Sequence, residues 1–452
     1  MLFRKISAYL KAHFSSSSDK ILIIEGARQI GKSFIIQEIG KKFFKNFIAL
    51  NFVEDDVGTQ LFKNVRDTEE FYFRLSTIAG TRLGNFNDTL IFLDEIQHYP
   101  QFLTLLKFFR QEKRFRFIAS GSLLGITLNN TASLPIGSVI RKQMFQLDFE
   151  EFLIANNWNE NAINALRERF EKRESLSEEE HSHLLSLFKR YLLIGGMPDA
   201  VNEYLASHNI VRVREIQENI RQMYEIDATK YENDSRRNLS VRRIFEMLPS
   251  QMENKKKRIV AKTINNQTGD RFDRYQEEFE YLISSGISSA VRAISNPNFP
   301  LLESVQKKLL KLYMNDVGIL TNCLYRHNLS SVLDDKKSVN LGGVYETVAA
   351  QELRAHGNAL FYYDNRKNGE VDFLIDDFSQ TSILPIEIKS GKDYTTHSAL
   401  NNLLTTPNYN IKSAFVFSNE RKIKTVKKIT YLPIYYIMFL GTENNAAANN
   451  FF

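Results

Sequence analysis

The chain has 452 residues, of which 43% are hydrophobic and 25% are charged, and its formal net charge is +6. These proportions are those of a globular protein, so they exclude a largely disordered chain, and the length predicts about three domains. The single cysteine, Cys323, excludes a disulfide framework and a multi-cysteine zinc site, and it is typical of a reducing compartment.

Residues 1–20 are predicted to form a short amphipathic helix that ends in a polar turn. Basic residues interrupt the stretch that would have to be apolar in a signal peptide, namely Arg4, Lys5 and Lys11. No apolar run in the chain approaches the roughly 20 residues that a membrane span needs. The sequence therefore predicts a soluble cytoplasmic protein with no membrane partner.

Residues 21–155 are predicted to form one α/β domain. Short apolar runs alternate with helix-like stretches, and the runs lie at residues 21–26, 45–52, 88–95 and 114–120, with a weaker one at 142–149. Apolar strands that alternate with helices are typical of a parallel sheet covered on both faces.

A phosphate-binding loop follows the first of these strands and opens a helix. Its eight residues match the pattern G-x-x-x-x-G-K-[ST], and they are Gly26, Ala27, Arg28, Gln29, Ile30, Gly31, Lys32 and Ser33. Backbone N–H groups of such a loop point at the phosphates of ATP, to which Lys32 would add its charge, while Ser33 would bind Mg²⁺. The alternative is a glycine-containing turn that binds no nucleotide.

The second half of the nucleotide site is predicted at the end of the strand LIFLDE. Asp94 and Glu95 leave that strand at its carboxyl end, where ligands bind in open α/β sheets. Asp94 would hold Mg²⁺ through water, and Glu95 would orient or deprotonate the attacking water. A pair of acidic residues that merely caps the next helix is the alternative.

Further polar side chains are candidates for the same site. Ser120 and Ser122 follow the next strand, where each is either a phosphate contact or a turn former. Phosphoryl transfer also calls for an extra cation. The sequence does not choose among the arginines in suitable stretches, which are Arg110, Arg114, Arg116 and Arg141.

The rest of the chain is predicted to form three further regions and a C-terminal tail, and the regions differ in secondary structure. Residues 156–228 are predicted to be helical, 229–330 to mix basic helices with strand-like runs, and 331–440 to open with a helix and continue as short strands. Residues 441–452 are a low-complexity tail.

Between residues 230 and 274 there are 12 basic and 6 acidic side chains. Such a segment is either an anion-binding surface, with nucleic acid as the first candidate, or a solvated helical face.

Five segments together resemble a bacterial and archaeal family of AAA-type, STAND-like ATP-binding proteins, and the resemblance covers nearly the whole chain. In chain order they are GARQIGKS, IFLDEIQ, SGSLL, DFEEFL and GGMPDA. The resemblance implies a P-loop NTPase core of the AAA+ type, a helical lid, a winged-helix region and a C-terminal α/β domain with a restriction-endonuclease-like fold. It also implies that Pro198, in the turn Gly196–Pro198, lies near the adenine. Ser138 departs from the family pattern, which leaves the arginine finger unassigned.

The C-terminal segment carries a pattern of two carboxylates and a lysine. Asp372 lies in one strand-like run, while Glu387 and Lys389 share a face of the next because alternate residues of a strand point the same way. With Glu346 on the preceding helix they match the PD-(D/E)XK nuclease pattern. Asp372, Glu387 and Glu346 would hold Mg²⁺, and Lys389 would position or activate water. The alternative is a surface salt-bridge cluster without activity.

Two hypotheses about function follow from these features. The first is an ATP-dependent enzyme that binds or cuts DNA. Its basic contacts would come from the residues around Arg236 and Arg242, from residues 255–258 with Lys262, and from residues 421–428. The second is an ATP-dependent switch whose nuclease-like domain is a binding module for a protein partner. A homo-oligomer is compatible with both hypotheses.

Overall fold

The computed structural model describes residues 1–51, 61–122, 137–228, 235–254, 257–264, 271–305, 309–334, 340–391 and 393–441. The chain forms two compact units. The first comprises Met1–Phe145 and Ser284–Gly286, and the second comprises Gln146–Ile283 and Ile287–Phe452. The tail predicted at 441–452 lies outside the described residues, apart from Gly441.

The first unit alternates helices and strands along the chain. Its elements are α1 (Ile6–Ser15), β1 (Ile21–Glu25), α2 (Lys32–Phe43), β2 (Asn46–Asn51), α3 (Thr68–Ala79), β3 (Thr89–Asp94), α4 (Pro100–Glu112), β4 (Arg116–Gly121) and β5 (Val139–Gln143).

The five strands of this unit form one parallel sheet in the order β2-β3-β4-β1-β5. Ile21 and Ile23 of β1 pack into the core that contains α3 and α4. Leu22 and Ile24 point to the opposite face and are also fully buried. Burial on both faces explains why β1 is a continuous apolar run, and the predicted α/β fold with a parallel sheet is confirmed.

The fifth strand lies earlier in the chain than the run predicted at 142–149. It ends at Gln143, and helix α5 begins at Phe149. Asp148 caps that helix by accepting from Glu151 N at 2.8 Å, while the Glu151 carboxylate accepts from Asp148 N. This capping box favours a helix over a strand for the end of the run.

The second unit begins with helices and continues into a second sheet. Its helices are α5 (Phe149–Ala155), α6 (Glu160–Lys172), α7 (Glu178–Ile194), α8 (Pro198–Ser207), α9 (Ile210–Ala228), α10 (Ser235–Met252), α11 (Ala261–Ile264), α12 (Gln276–Ser284), α13 (Val317–Tyr325), α14 (Ser330–Leu333), α15 (Gly342–Ala355) and α16 (Ser398–Thr405). Its strands are β6 (Ser288–Ile294), β7 (Leu310–Met314), β8 (Phe361–Asn365), β9 (Gly369–Asp377), β10 (Ser382–Ile388), β11 (Ala414–Ser418), β12 (Lys424–Val426) and β13 (Ile429–Pro433).

The eight strands of this unit form one mixed sheet in the order β12-β13-β11-β10-β9-β8-β6-β7. β6 pairs in parallel with β8, and β7 pairs antiparallel with β6. Strands from both sides of the boundary predicted at 330/331 therefore belong to the same sheet. The sheet crosses this boundary because β6 finds its partner β8 some 70 residues further along the chain, and β7 joins the same sheet through β6.

Helix α10 continues through Pro249 to Met252. Its buried side chains recur at helical spacing, as Val241, Phe245, Leu248 and Met252 show. Proline near the end of a helix costs a backbone hydrogen bond, and burial of this apolar face offsets that cost.

Asp316 joins the start of α13 to the turn at Gly196 in the second unit. It is fully buried, caps α13 by accepting from Ile319 N at 3.0 Å, and accepts from Gly196 N at 2.7 Å. A side chain at Gly195 would meet the Asp316 carboxylate at 2.1 Å, and one at Gly196 would meet Leu147 O at 2.0 Å. The two adjacent glycines thus allow the backbone to approach the carboxylate closely.

Burial raises the pKa of Asp316 to about 6, although backbone N–H donors from Gly196 and Ile319 oppose that shift. The folded state therefore holds a proton more tightly than the unfolded chain, whose aspartates titrate near 3.9. The resulting contribution to stability is largest at low pH and is lost as the pH rises through about 6.

None of the helices in the described ranges is both long and apolar enough to cross a lipid bilayer.

We expect Asp316→Asn to destabilise the second unit by about 1–3 kcal/mol at pH 7, because one of two buried N–H groups loses its acceptor. The difference from wild type should widen by about 1 kcal/mol at pH 5, where only the wild type gains from protonation. Urea unfolding at both pH values measures this, with the exposed Asp334→Asn as control. A difference that does not change with pH would contradict the raised pKa.

Candidate functional site

The loop between β1 and α2 has the backbone conformation of a phosphate-binding loop. Gly26 adopts φ +149°, and a side chain there would meet Met144 O at 2.2 Å, so only glycine is tolerated. Gly31 adopts φ +88° and caps the 12-residue helix α2. The loop therefore leads into a helix N-terminus, which favours an anion.

The side chain of Lys32 lies inside this loop. Its Nζ donates to Ala27 O at 2.7 Å and to Gly26 O at 3.0 Å. Burial lowers the pKa of Lys32, and the carboxylates of Glu95 and Asp94 oppose that shift. Its hydrogen-bond partners are thus neutral carbonyls, which phosphate oxygens can replace as stronger acceptors.

Ser33 and Asp94 meet at the edge of the sheet. Ser33 Oγ donates to Asp94 Oδ1 at 2.9 Å, and Ser120 Oγ donates to the same oxygen. Burial raises the pKa of Asp94, and the two serine hydroxyls oppose the shift. A hydroxyl and a carboxylate oxygen are hard ligands, so this pair fits Mg²⁺.

Two neighbours hold the Glu95 carboxylate. Gln97 Nε2 and Ser122 Oγ both donate to Glu95 Oε2, the latter at 3.2 Å, and Gln97 Nε2 also lies 3.3 Å from Ser122 Oγ. Glu95 itself adopts the left-handed conformation, φ +55°, which ends β3 abruptly. Ser122 was a sequence candidate, whereas Gln97 was missed although it lies only two residues beyond Glu95.

Three of the four candidate arginines lie at the amino edge of the parallel sheet, away from the loop. Arg116 begins β4, Arg114 precedes it, and Arg110 pairs with Asp19, two residues before β1, at 2.9 Å. Arg141 lies on the loop side, where it forms a two-contact ion pair with Glu25, the residue before Gly26. The predicted role as extra cation is therefore compatible only with Arg141 within this unit.

The turn Gly196–Pro198 belongs to the second unit. Gly196 O accepts from Leu147 N at 2.8 Å, and Pro198 occupies the first turn of α8. These contacts explain the GGMP segment structurally, and its role beside an adenine stays a prediction.

A second cluster of charged residues lies on the eight-stranded sheet. Asp372 on β9 accepts from Ile388 N at 2.8 Å, and Lys389 Nζ donates to Glu387 Oε1 at 2.8 Å. The predicted pairing of Glu387 with Lys389 is thus present, and Asp372 lies next to them on the neighbouring strand.

Glu387 is buried and Asp372 is half-buried, and the charges of these two carboxylates are incompletely balanced. Burial, Glu346 and Glu387 raise the pKa of Asp372, and burial also raises that of Glu387 against the effect of Lys389. Glu387 Oε2 is buried and has no hydrogen-bond partner. Two adjacent carboxylates with an unpaired oxygen are a donor set that fits a divalent cation.

Glu346 on α15 is different, because other side chains already neutralise it. Its Oε1 lies 2.8 Å from Lys257 Nζ, while its Oε2 accepts from Tyr313 OH at 2.7 Å and lies 3.9 Å from Lys311 Nζ. Burial would raise the pKa of Glu346, but Lys311 and Lys257 lower it overall. These partners occupy both Glu346 oxygens in this structure, and the role of Glu346 as a third metal ligand stays a prediction.

In the part of the chain that the structure describes, no group of three or more His, Cys, Asp or Glu side chains is arranged to hold a metal ion.

The contacts of Glu346 with Lys257, Lys311 and Tyr313 were not predicted from the sequence. Lys311 and Tyr313 alternate in the strand LKLYM, which places them on one face, and a buried lysine in such a strand was the available signal.

The basic segments are more neutralised than the sequence suggested. Lys257 and Arg258 face carboxylates, and Lys255 and Lys256 lie outside the described residues. On α10, Arg237 pairs with Glu277 and Arg242 with Glu225 and Glu246. In the later run, Arg421 pairs with Glu178 at 2.8 Å. A uniformly solvent-facing basic patch is therefore not present at these described positions.

Family models match three parts of the chain. An AAA domain matches residues 18–153, a domain of unknown function (DUF8612) matches 185–330, and another (DUF4143) matches 341–437. The chain is also 26% identical over 368 residues to the uncharacterized protein MJ1544 of Methanocaldococcus jannaschii, which covers 79% of this chain and 72% of that protein.

Solved structures with some similarity include the Walker-type ATPase PABY2304 of Pyrococcus abyssi. It has 12% identity and a TM-score of 0.44, over 71% of this chain and 95% of that one. The Aeropyrum pernix ORC2 protein in its ADP form has 12% identity and a TM-score of 0.27, over 74% and 93%.

We expect Gln97→Ala to lower kcat for ATP hydrolysis roughly 10- to 100-fold, because Glu95 loses a donor that fixes its carboxylate. KM for ATP should change little, since the contacts of Gln97 are with Glu95 and Ser122, which follow β3 and β4. Steady-state kinetics across pH measures both constants and any shift in the pH profile. The exposed Gln111→Ala is the control. Equal losses in Gln97→Ala and Gln111→Ala would rule out a positioning role.

Proposed function

We propose that the chain hydrolyses ATP with Mg²⁺ and that this activity is coupled to a metal-dependent, nuclease-like site in the second unit that acts on DNA. The match of an AAA domain to residues 18–153 supports the ATPase part of this proposal. The observation that carries the first part is the convergence of Lys32, Ser33, Asp94 and Glu95 at one edge of the parallel sheet.

In the proposed nucleotide site, each side chain has a separate task. Lys32 exchanges the Gly26 and Ala27 carbonyls for phosphate oxygens, and the N–H groups at the start of α2 bind the same anion. Ser33 and Asp94 would hold Mg²⁺, which supplies positive charge to the terminal phosphates. Glu95 accepts a hydrogen bond from the attacking water, in an orientation that Gln97 and Ser122 maintain.

The proposal for the second site rests on Asp372, Glu387 and Lys389. Asp372 and Glu387 would hold the divalent ion, which supplies positive charge to a phosphodiester. Lys389, 2.8 Å from Glu387, would orient water beside it. The order of helices α10–α12 followed by the β6–β7 pair supports a winged-helix module, which is a common DNA-binding fold.

One observation favours the second hypothesis, an ATP-dependent switch whose C-terminal site binds without cutting. Glu346 is already paired with Lys257 and Lys311, so the full carboxylate set is not available as it stands. Under this hypothesis the target is a protein partner, and ATP controls assembly of a homo-oligomer. The cytoplasmic location stays part of either proposal.

We expect Lys32→Ala to abolish tight ATP binding, because the loop loses its phosphate cation. Glu95→Gln should bind ATP normally and hydrolyse it at least about 100-fold more slowly, because an amide cannot take the proton of water. Binding of a fluorescent ATP analogue and release of phosphate measure the two effects separately. Hydrolysis by Glu95→Gln at the wild-type rate would show that Glu95 does not orient the water.

We expect Asp372→Asn to abolish DNA cleavage in Mg²⁺ or Mn²⁺ while ATP hydrolysis continues, since the amide is a poor ligand for a divalent ion. Gel assays with single- and double-stranded DNA measure cleavage. Asp377→Asn, on the same strand, is the matched control and should cut like the wild type. If wild-type protein cuts no DNA in either metal while Glu95-dependent ATP hydrolysis is present, the binding-module hypothesis is preferred.

A further inference from the structure

Lys257 lies four residues before α11, and its ammonium group contacts Glu346 in the acidic cluster beside the eight-stranded sheet. Its Nζ is 2.8 Å from Glu346 Oε1, and only 11% of its side chain and 6% of that of Glu346 are exposed. The backbone of Lys257 adopts φ +44°, a conformation that is uncommon for residues other than glycine. This buried ion pair therefore fixes the position of the Lys257 side chain.

The residue after Lys257 makes the same kind of contact. Arg258 Nη1 lies 3.4 Å from Asp364 Oδ2, and its Nη2 lies 3.7 Å from Glu370 Oε2. Lys311 Nζ lies 2.7 Å from Glu370 Oε1. The two consecutive cations Lys257 and Arg258 thus face three carboxylates that α15, β8 and β9 supply. Lys257 and Arg258 belong to the basic run 255–258, for which the sequence predicts a surface that faces solvent or nucleic acid.

The cluster contains two kinds of carboxylate. Glu346 accepts from Tyr313 OH and is paired with Lys257 and Lys311, so its oxygens are satisfied by cations of the chain itself. Glu387, by contrast, keeps one buried oxygen without a partner. A buried carboxylate binds either an ammonium group or a metal ion at a given oxygen.

We propose that Lys257 is an internal counter-ion that competes with a divalent cation for Glu346. While Lys257 is in place, Asp372 and Glu387 would be the carboxylates that hold a divalent ion at this cluster. Withdrawal of the Lys257 ammonium group would free Glu346 Oε1 as a further ligand. The inference rests on the proposed function, in which Asp372 and Glu387 hold the metal, and it adds a regulating residue to that site.

Titration of the full-length, nucleotide-free protein with Mn²⁺ tests this inference by calorimetry. The quantity of interest is the binding component that Asp372→Asn removes, because Asp94 in the first unit also contributes a carboxylate. We expect Lys257→Met to raise the affinity of that component at least about tenfold, since the metal no longer displaces an ammonium group. Lys257→Arg, which keeps the charge, should stay near the wild type.

Two further variants make the test specific. Lys257→Met/Glu346→Gln should lose the gain, because the freed ligand is gone. Lys262→Met removes the same charge from the exposed side of α11 and should bind like the wild type. Thermal unfolding without metal checks that each variant is folded, and Lys257→Arg provides the comparison if Lys257→Met is unstable.

The outcomes separate the two proposals. Asp372-dependent binding in the wild type without a gain in Lys257→Met would overturn the role of Lys257 alone. A gain that persists in the Lys257→Met/Glu346→Gln protein would also overturn it, because Glu346 would not be the ligand released. Absence of Asp372-dependent binding in every protein would overturn both this inference and the metal-dependent site.

Discussion

Burial of charged side chains is the constraint on which both units depend. A carboxylate that leaves water must find donors or cations inside the protein, since an uncompensated buried charge costs several kcal/mol. Asp94 finds two serine hydroxyls, Asp316 finds backbone N–H groups, and Glu346 finds two lysines and a tyrosine. The donors or cations that already contact each carboxylate determine which ligand that carboxylate can bind.

The two candidate sites solve this problem in opposite ways. In the first unit the acidic pair is held by the neutral donors Ser33, Ser120, Ser122 and Gln97, so the positive charge has to arrive with the ligand. Lys32 is the exception, and it is bonded to carbonyls that cannot compete with phosphate. In the second unit, cations of the chain already occupy one carboxylate. A ligand of the first candidate site would displace no cation from Asp94 or Glu95, whereas a cation bound at Glu346 would have to displace Lys257 or Lys311.

Features encoded by contiguous residues could be predicted from the sequence. The strand–loop–helix unit from Ile21 to Phe43 and the acidic end of β3 are local patterns, and the same holds for the spacing of Glu387 and Lys389. Features that depend on distant segments could not. Gln97 reaches Glu95 only because Glu95 adopts a left-handed turn, and Tyr313 meets Glu346 from a strand 33 residues away. Whether Lys257 faces solvent or a carboxylate is likewise a tertiary property, which local charge counts do not contain.

The pairing of β6 with β8 has a consequence for how the chain can be divided. A fragment that begins near residue 331 would lack both β6 and β7, so the backbone N–H and C=O groups of Phe361–Tyr363 would lose their partners. An uncovered edge of this kind is a template for intermolecular strand addition and aggregation. Truncation near residue 331 would also remove Lys311 and Tyr313, so Glu346 would be buried without the donors that these two side chains supply. Ribosomal synthesis meets the same constraint, because β6 and β7 leave the ribosome well before β8 and must remain unpaired on that side until it emerges.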